Sequence, residues 1–209
     1  TAKRLGRQDY VLAVLRERLD DHAQSSQRPA LTYAAALYDA MRAGDATEVL
    51  FQAMEKRPRD AELICQAAQW LGRLESPKAG LELLSSAETT LPKLDLLQAR
   101  ASLASLDGRP EDALEALLES ASLQPLNPER SARIAALLSA LRGDDQAIGY
   151  LQSQIQDFPH CRTLQAITTR SLSDASRYTE AIECIDQMLV GFYNDAWSWR
   201  ARAVEDRRC

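Results

Sequence analysis

The sequence predicts an all-α chain of antiparallel helix pairs, and two observations carry that prediction. Of 209 residues, 45% are hydrophobic but only 6% aromatic, with 8 Gly and 8 Pro, so the apolar content is mostly Leu and Ala. Those two are the strongest apolar helix formers, and so few turn residues argue against sandwiches and barrels. The second observation is a period. Pro58, Pro92, Pro125 and Pro159 stand 34, 33 and 34 residues apart, each after an alanine-rich stretch of helical pattern. Proline lacks an N–H and clashes with the preceding turn, so a helix is expected to stop before each of the four.

Residues 5–22 come first. They place Tyr10, Val11, Val14, Leu15 and Leu19 at helical spacing, an amphipathic helix expected to pack on the first pair. Ser25-Ser26-Gln27-Arg28-Pro29 reads as the loop after it, and Gly44-Asp45 as the turn between the helices of the first pair. The segments that follow share one layout, a small residue and then a large apolar one a helical turn later. The pairs are Ala46 and Leu50, Gly80 and Leu84, Ala113 and Leu117, Ala147 and Leu151, and Ala181 and Ile185. A second set of small residues, Ala34, Ala68, Ala101, Ala135 and Thr169, stands twelve positions before the first. Small residues let two helices approach, and a Leu or Ile from one fills the groove beside them.

With its period, this pattern resembles the tetratricopeptide (TPR) family, a 34-residue helix–turn–helix repeat. The resemblance covers about residues 27–209. It implies a right-handed TPR-like α-solenoid of antiparallel helix pairs, about 12 helices in all. Five repeats are expected at 27–60, 61–93, 94–127, 128–161 and 162–195. An N-terminal amphipathic helix and loop (1–26) would precede them. Residues 196–209 would be the truncated helix of a sixth repeat or a cap. Tyr193 stands where the fifth repeat would have its proline, and Trp199 is expected to pack on the preceding helix. The chain starts without Met and stops at DRRC, so a piece cut from a longer protein is expected.

Charge and cysteine narrow the function classes. Net charge is −5, and the middle of the chain (31–126) carries fifteen acidic against nine basic side chains. No global basic footprint for nucleic acid exists, so nucleic acid is not an expected partner. No run of eighteen apolar residues is present, so no membrane span is expected. Cys65, Cys161, Cys184 and Cys209 form no paired motif, which favours a reducing, cytoplasmic setting.

Catalytic and metal signatures are missing. The only histidines are His22 and His160. His160 adjoins Cys161, and neighbouring side chains point apart, so the two form no nucleophile–base couple. The acidic pairs Glu111-Asp112 and Asp144-Asp145 open predicted helices, where carboxylates suit the positive helix end. Asp107 is an N-cap candidate by the same argument. No enzyme activity, cofactor or metal is expected of this segment.

In TPR proteins the first helix of each pair lines a concave groove. Carried over by position, the resemblance implies that Arg28, Tyr38, Glu62, Gln69 and Arg73 line its first part. Asp95, Gln98, Ser102, Glu129 and Ser139 follow, then Arg170, Trp197 and Arg200. Chaperone-binding members clamp a terminal carboxylate with Lys and Asn. Here Lys3, Lys56, Lys78, Lys93, Asn127 and Asn194 all miss the lining positions, so that activity is disfavoured. The expected function is a non-catalytic scaffold binding a peptide or protein segment. The alternative is the repeat region of a larger enzyme or secretion/assembly protein. Self-association is expected through the apolar face of the last helix, including Ala196, Trp199 and Ala203.

Overall fold

The computed structural model describes residues 2–22, 25–191 and 193–208. Cys209 lies outside the described residues. Among them there are twelve helices and no strand. In order these are α1 (Ala2–His22), α2 (Arg28–Asp39), α3 (Ala43–Lys56), α4 (Ala61–Leu74), α5 (Pro77–Ser86) and α6 (Lys93–Leu106). Then come α7 (Pro110–Leu123), α8 (Pro128–Arg142), α9 (Asp144–Asp157), α10 (Arg162–Asp174), α11 (Tyr178–Gly191) and α12 (Ala196–Glu205). No helix among the described residues is long and apolar enough to cross a membrane.

The chain divides within α7 into two compact units, residues 1–116 and 117–209. In the first, α2 pairs with α3 and α4 with α5, and the first helices α4 and α6 also pack on each other. In the second, α8 pairs with α9 and α10 with α11. There α8 packs on α10, and α12 lies on α11.

The prolines set the helix boundaries, in two ways. Pro29, Pro77, Pro110 and Pro128 occupy the first or second helical position, where the missing N–H has no intrahelical partner to lose. Pro58, Pro125 and Pro159 each lie two residues beyond a helix end. Pro92 departs from the expected role. Helix α5 has already ended at Ser86, residues 87–90 form a turn, and Pro92 immediately precedes α6. Side-chain caps mark four starts, two of them, α5 and α8, also opened by proline. Asp60, Ser76, Asn127 and Asp195 accept the backbone N–H three residues on, at 2.9 to 3.2 Å.

Three local expectations are corrected. The first hairpin turns at Ala40–Arg42, with Met41 at φ 62°, and Gly44-Asp45 already belong to α3. Arg42 donates to Asp45 at 2.5 Å across that junction. Arg28 and Pro29 open α2 rather than lying in a loop. Asp107 follows α6 as its C-terminal cap residue and accepts from Arg109 at 2.8 Å, so it is no N-cap.

The small and large positions form the core. Ala34, Ala46, Ala68, Ala101, Ala113 and Ala181 are fully buried, and Leu50, Leu84, Leu117, Leu151 and Ile185 nearly so. Each such leucine contributes about 1.5–3 kcal/mol on leaving water. Helix α1 turns only part of the expected face inward. Leu12, Leu15 and Leu19 join the core, while Tyr10 (70% exposed), Val11 and Val14 face solvent.

Gly80 shows how tight the approach is. A Cβ there would lie 2.4 Å from the Ala68 carbonyl oxygen of α4 and 2.8 Å from a Leu103 methyl of α6. The other pairs have alanine at this position. Gly149, on the exposed side of α9, would meet nothing within 4 Å. Urea denaturation should therefore separate two identical substitutions. Gly80→Ala is expected to lose about 1–3 kcal/mol by overpacking. Gly149→Ala is expected to gain about 0.5–1 kcal/mol from helix propensity.

Candidate protein-binding surface

All thirteen predicted lining residues lie on α2, α4, α6, α8, α10 or α12, and none is buried. The physical reason is the pairing itself. The face of a first helix that carries Ala34, Ala68, Ala101, Ala135 or Thr169 meets its neighbours, which leaves another face to solvent.

In the first unit, α2 carries Arg28 and Tyr38, α4 carries Glu62, Gln69 and Arg73, and α6 carries Asp95, Gln98 and Ser102. The Tyr38 ring meets Trp70 of α4 edge to face at 4.8 Å between centroids. Trp70 was missed. It directly follows Gln69, and a large aromatic beside a lining position was the available signal. Gln27 donates to the Glu62 carboxylate at 2.5 Å, tying the chain ahead of α2 to α4. Behind this face, the Cys65 thiol lies 3.8 Å from the Asp95 carbonyl. Burial, aided by the Asp95 charge, pushes that thiol up to about 11. A cavity of about 720 Å³ in this unit lies instead between α3 and α4, around Phe51, Glu48 and Leu74. None of the predicted residues borders it.

The second unit brings its predicted residues together more closely. One cavity of about 320 Å³ is floored by Ala132, Ala135 and Ala136 and edged by Ser139 and Arg170. Ser139 donates to Asp144 at its rim. A second, of about 610 Å³, opens between α10 and α12, with Arg170, Asp174 and Trp197 on its wall. Arg170 thus borders both. Neither Arg170 nor Asp174, one turn further along α10, has a hydrogen-bonding or ionic partner among the described residues. Glu129 and Arg200 border neither cavity, and Arg200 donates to the Ala196 carbonyl of its own helix.

Trp197 is positioned by the anchoring of α12. Asp195 accepts from the Ser198 backbone N–H and hydroxyl at 2.9 and 2.5 Å, and from Arg162 of α10 at 2.5 Å. Arg202 makes a two-toothed contact with Asp186 of α11, at 2.5 and 3.2 Å. Trp197 is left 38% exposed at the cavity mouth. Trp199, expected to pack on the preceding helix, instead meets Tyr193 in the turn ahead of its own helix. It is 48% exposed, donates to the Tyr193 carbonyl at 2.9 Å and meets the Tyr193 ring edge to face. Register explains the difference, because Ser198 and Glu205 take the buried side of this short helix.

Among the described residues, no group of three or more His, Cys, Asp or Glu side chains is arranged to hold a metal ion. His160 is exposed in the turn before α10, and Cys161 is that helix's N-cap.

Paired helices closed at small residues, with exposed first helices, define a helical-repeat protein. The particular fold is that of the tetratricopeptide repeat. PilW, a widely conserved type IV pilus biogenesis factor, superposes with a TM-score of 0.60 over 93% of this chain and 90% of its own, at 17% identity. A tetratricopeptide repeat protein from Parabacteroides merdae gives 0.55 over 87% and 72%, also at 17% identity. A thermophilic TPR protein from Thermus thermophilus gives 0.53 over 86% and 98%, at 16% identity. No protein-family model and no curated protein matches the sequence.

The anchor of α12 is pH-sensitive. Hydrogen bonds from Ser198 and then Arg162 hold the Asp195 carboxyl down at about 2. Its folded-state value lies below the ordinary ~3.9, so this stabilisation is complete above about pH 4. It is lost as pH falls through 2. Amide protection factors in α12 should fall over that window, and Asp195→Ala should give the low protection already at pH 7.

Proposed function

We propose that the chain is a non-catalytic scaffold that binds a peptide or protein segment along the exposed face of its first helices, centred on Arg170. One observation carries this reading. Arg170 borders both cavities of the second unit with its guanidinium unpartnered. Five N–H donors in a fixed fork suit the carbonyls or carboxylates of an extended segment. The alanine floor beside it leaves volume for that segment's side chains. A surface of this kind needs no cofactor and no metal.

The likeness to PilW over 93% of this chain favours a second, compatible reading, in which these repeats serve within a larger assembly apparatus. The chain would still bind through the same face. Self-association belongs with this proposal too. Trp199 and Val204 are each 48% exposed on the outward side of α12, beside the exposed Ala196 and Ala203. Light scattering should report concentration-dependent dimers that Trp199→Glu abolishes; a strict monomer at millimolar protein would contradict self-association.

The binding reading is tested by panning a phage-displayed random-peptide library on the full chain. Arg170→Ala should weaken the selected peptides at least about tenfold, equivalent to ~1.4 kcal/mol. Glu183→Ala, on the exposed side of the second helix α11, should leave them unchanged. The reverse pattern would place binding on the second helices and sink the reading.

A further inference from the structure

The cavity between α10 and α12 has a buried carboxylate oxygen that nothing among the described residues satisfies. Glu205 is 6% exposed. Its Oε1 accepts from the Ser173 hydroxyl at 2.8 Å and lies 3.5 Å from Arg208, but its buried Oε2 has no partner. Thr169, also buried, has no partner for its Oγ1 but the weak one of the Cys184 thiol. Both residues border the cavity, as does Trp197. Helical packing does not account for this. A carboxylate oxygen removed from water without a donor costs free energy that a fold has no reason to bear.

The chemistry of these groups selects the ligand. An ionised carboxylate only accepts hydrogen bonds. The two arginines on the wall, Arg170 and Arg208, are matched by Asp174 and Glu205, so overall charge does not draw an anion in. An anionic group reaching the depth of the cavity would meet Glu205 Oε2 unfavourably. A cationic side chain meets an acceptor there, and a half-exposed indole at the mouth supplies a face for it to lie on. Arg208 already shows the mode from within the chain. Its guanidinium bonds to Ser173 at 2.7 Å and lies over the Tyr178 ring at 5.8 Å.

We propose that this cavity is a specificity pocket for a basic side chain, arginine above lysine, of the segment bound along the first helices. The pocket rests on the scaffold reading above and adds the chemistry of its partner. The basic group stacks on Trp197 and gives N–H donors to Glu205 Oε2 and Thr169 Oγ1. Arg170, at the rim, takes a backbone carbonyl of the same segment.

The test titrates the full chain with four capped pentapeptides, alanine throughout except for a central Arg, Lys, norleucine or Glu. The readout is the Trp197 indole resonance, assigned with Trp197→Phe. The Arg peptide is expected to bind about tenfold tighter than the norleucine peptide, with Lys between them and Glu weakest. Glu205→Gln should reduce the Arg preference to about twofold. Thr169→Val removes a hydroxyl whose one neighbour is the Cys184 thiol of α11, so it spares the anchoring of α12. It should weaken the Arg peptide several-fold and leave the norleucine peptide unchanged. Equal or tighter binding of the Glu peptide, or an Arg preference that survives both variants, would overturn the pocket. So would the absence of saturable binding by any of the four up to ~10 mM. If the norleucine peptide binds as well as the Arg peptide and both are lost in Arg170→Ala, the binding face stands and the basic pocket falls.

Discussion

Each helix pair closes where a side chain is nearly absent, and the rest of the structure depends on that contact. At Gly80 the requirement is extreme, because the Ala68 carbonyl oxygen and a Leu103 methyl occupy the space a Cβ would need. Elsewhere alanine suffices, and Ala46, Ala113 and Ala181 are fully buried. With helices this close, the leucines one turn on have a fixed groove to fill. A single register then serves every pair. The exposed face of each first helix follows from the same geometry, since the buried side is assigned before any ligand is considered.

Much of this was legible in the sequence because packing positions recur. The five small-then-large pairs, repeated at one period, placed the second helices correctly even though no single repeat carries a strong motif. Other features were not legible, for physical reasons. Gly44-Asp45 has the composition of a turn, yet the hairpin turns three residues earlier, where Met41 adopts a left-handed conformation. Pro92 sits on the expected period, but α5 is too short to reach it. In α1 and α12, which have a neighbour on one side only among the described contacts, periodicity alone did not say which apolar residues turn inward. Leu12 was passed over for Tyr10, and Trp199, expected to pack on the preceding helix, lies off the buried side that Ser198 and Glu205 hold.

The candidate surface divides in the same way. Position in the repeat put all thirteen lining residues on first helices. It did not show that Arg170 joins two cavities while Glu129 and Arg200 stand apart from both. That distinction comes from side-chain packing between α8, α10 and α12. Nor did position reveal the buried Glu205, whose unused oxygen is the strongest chemical signal in the second unit. Its burial follows from the tertiary anchoring of α12 through Asp195 and Arg202, which no local pattern encodes. The scarcity of Lys and Asn is informative in a different way. It argues against a carboxylate clamp and makes arginine, with its fixed fork of donors, the cation of the proposed binding face.

The most direct test is a backbone amide shift map of the full chain titrated with a panned peptide. The largest shifts should fall in the second unit, on the exposed faces of α8 and α10 around Ser139 and Arg170 and on α12 around Trp197. Shifts concentrated instead on α9 and α11, or around Phe51 of α3, would contradict a binding face built from the first helices.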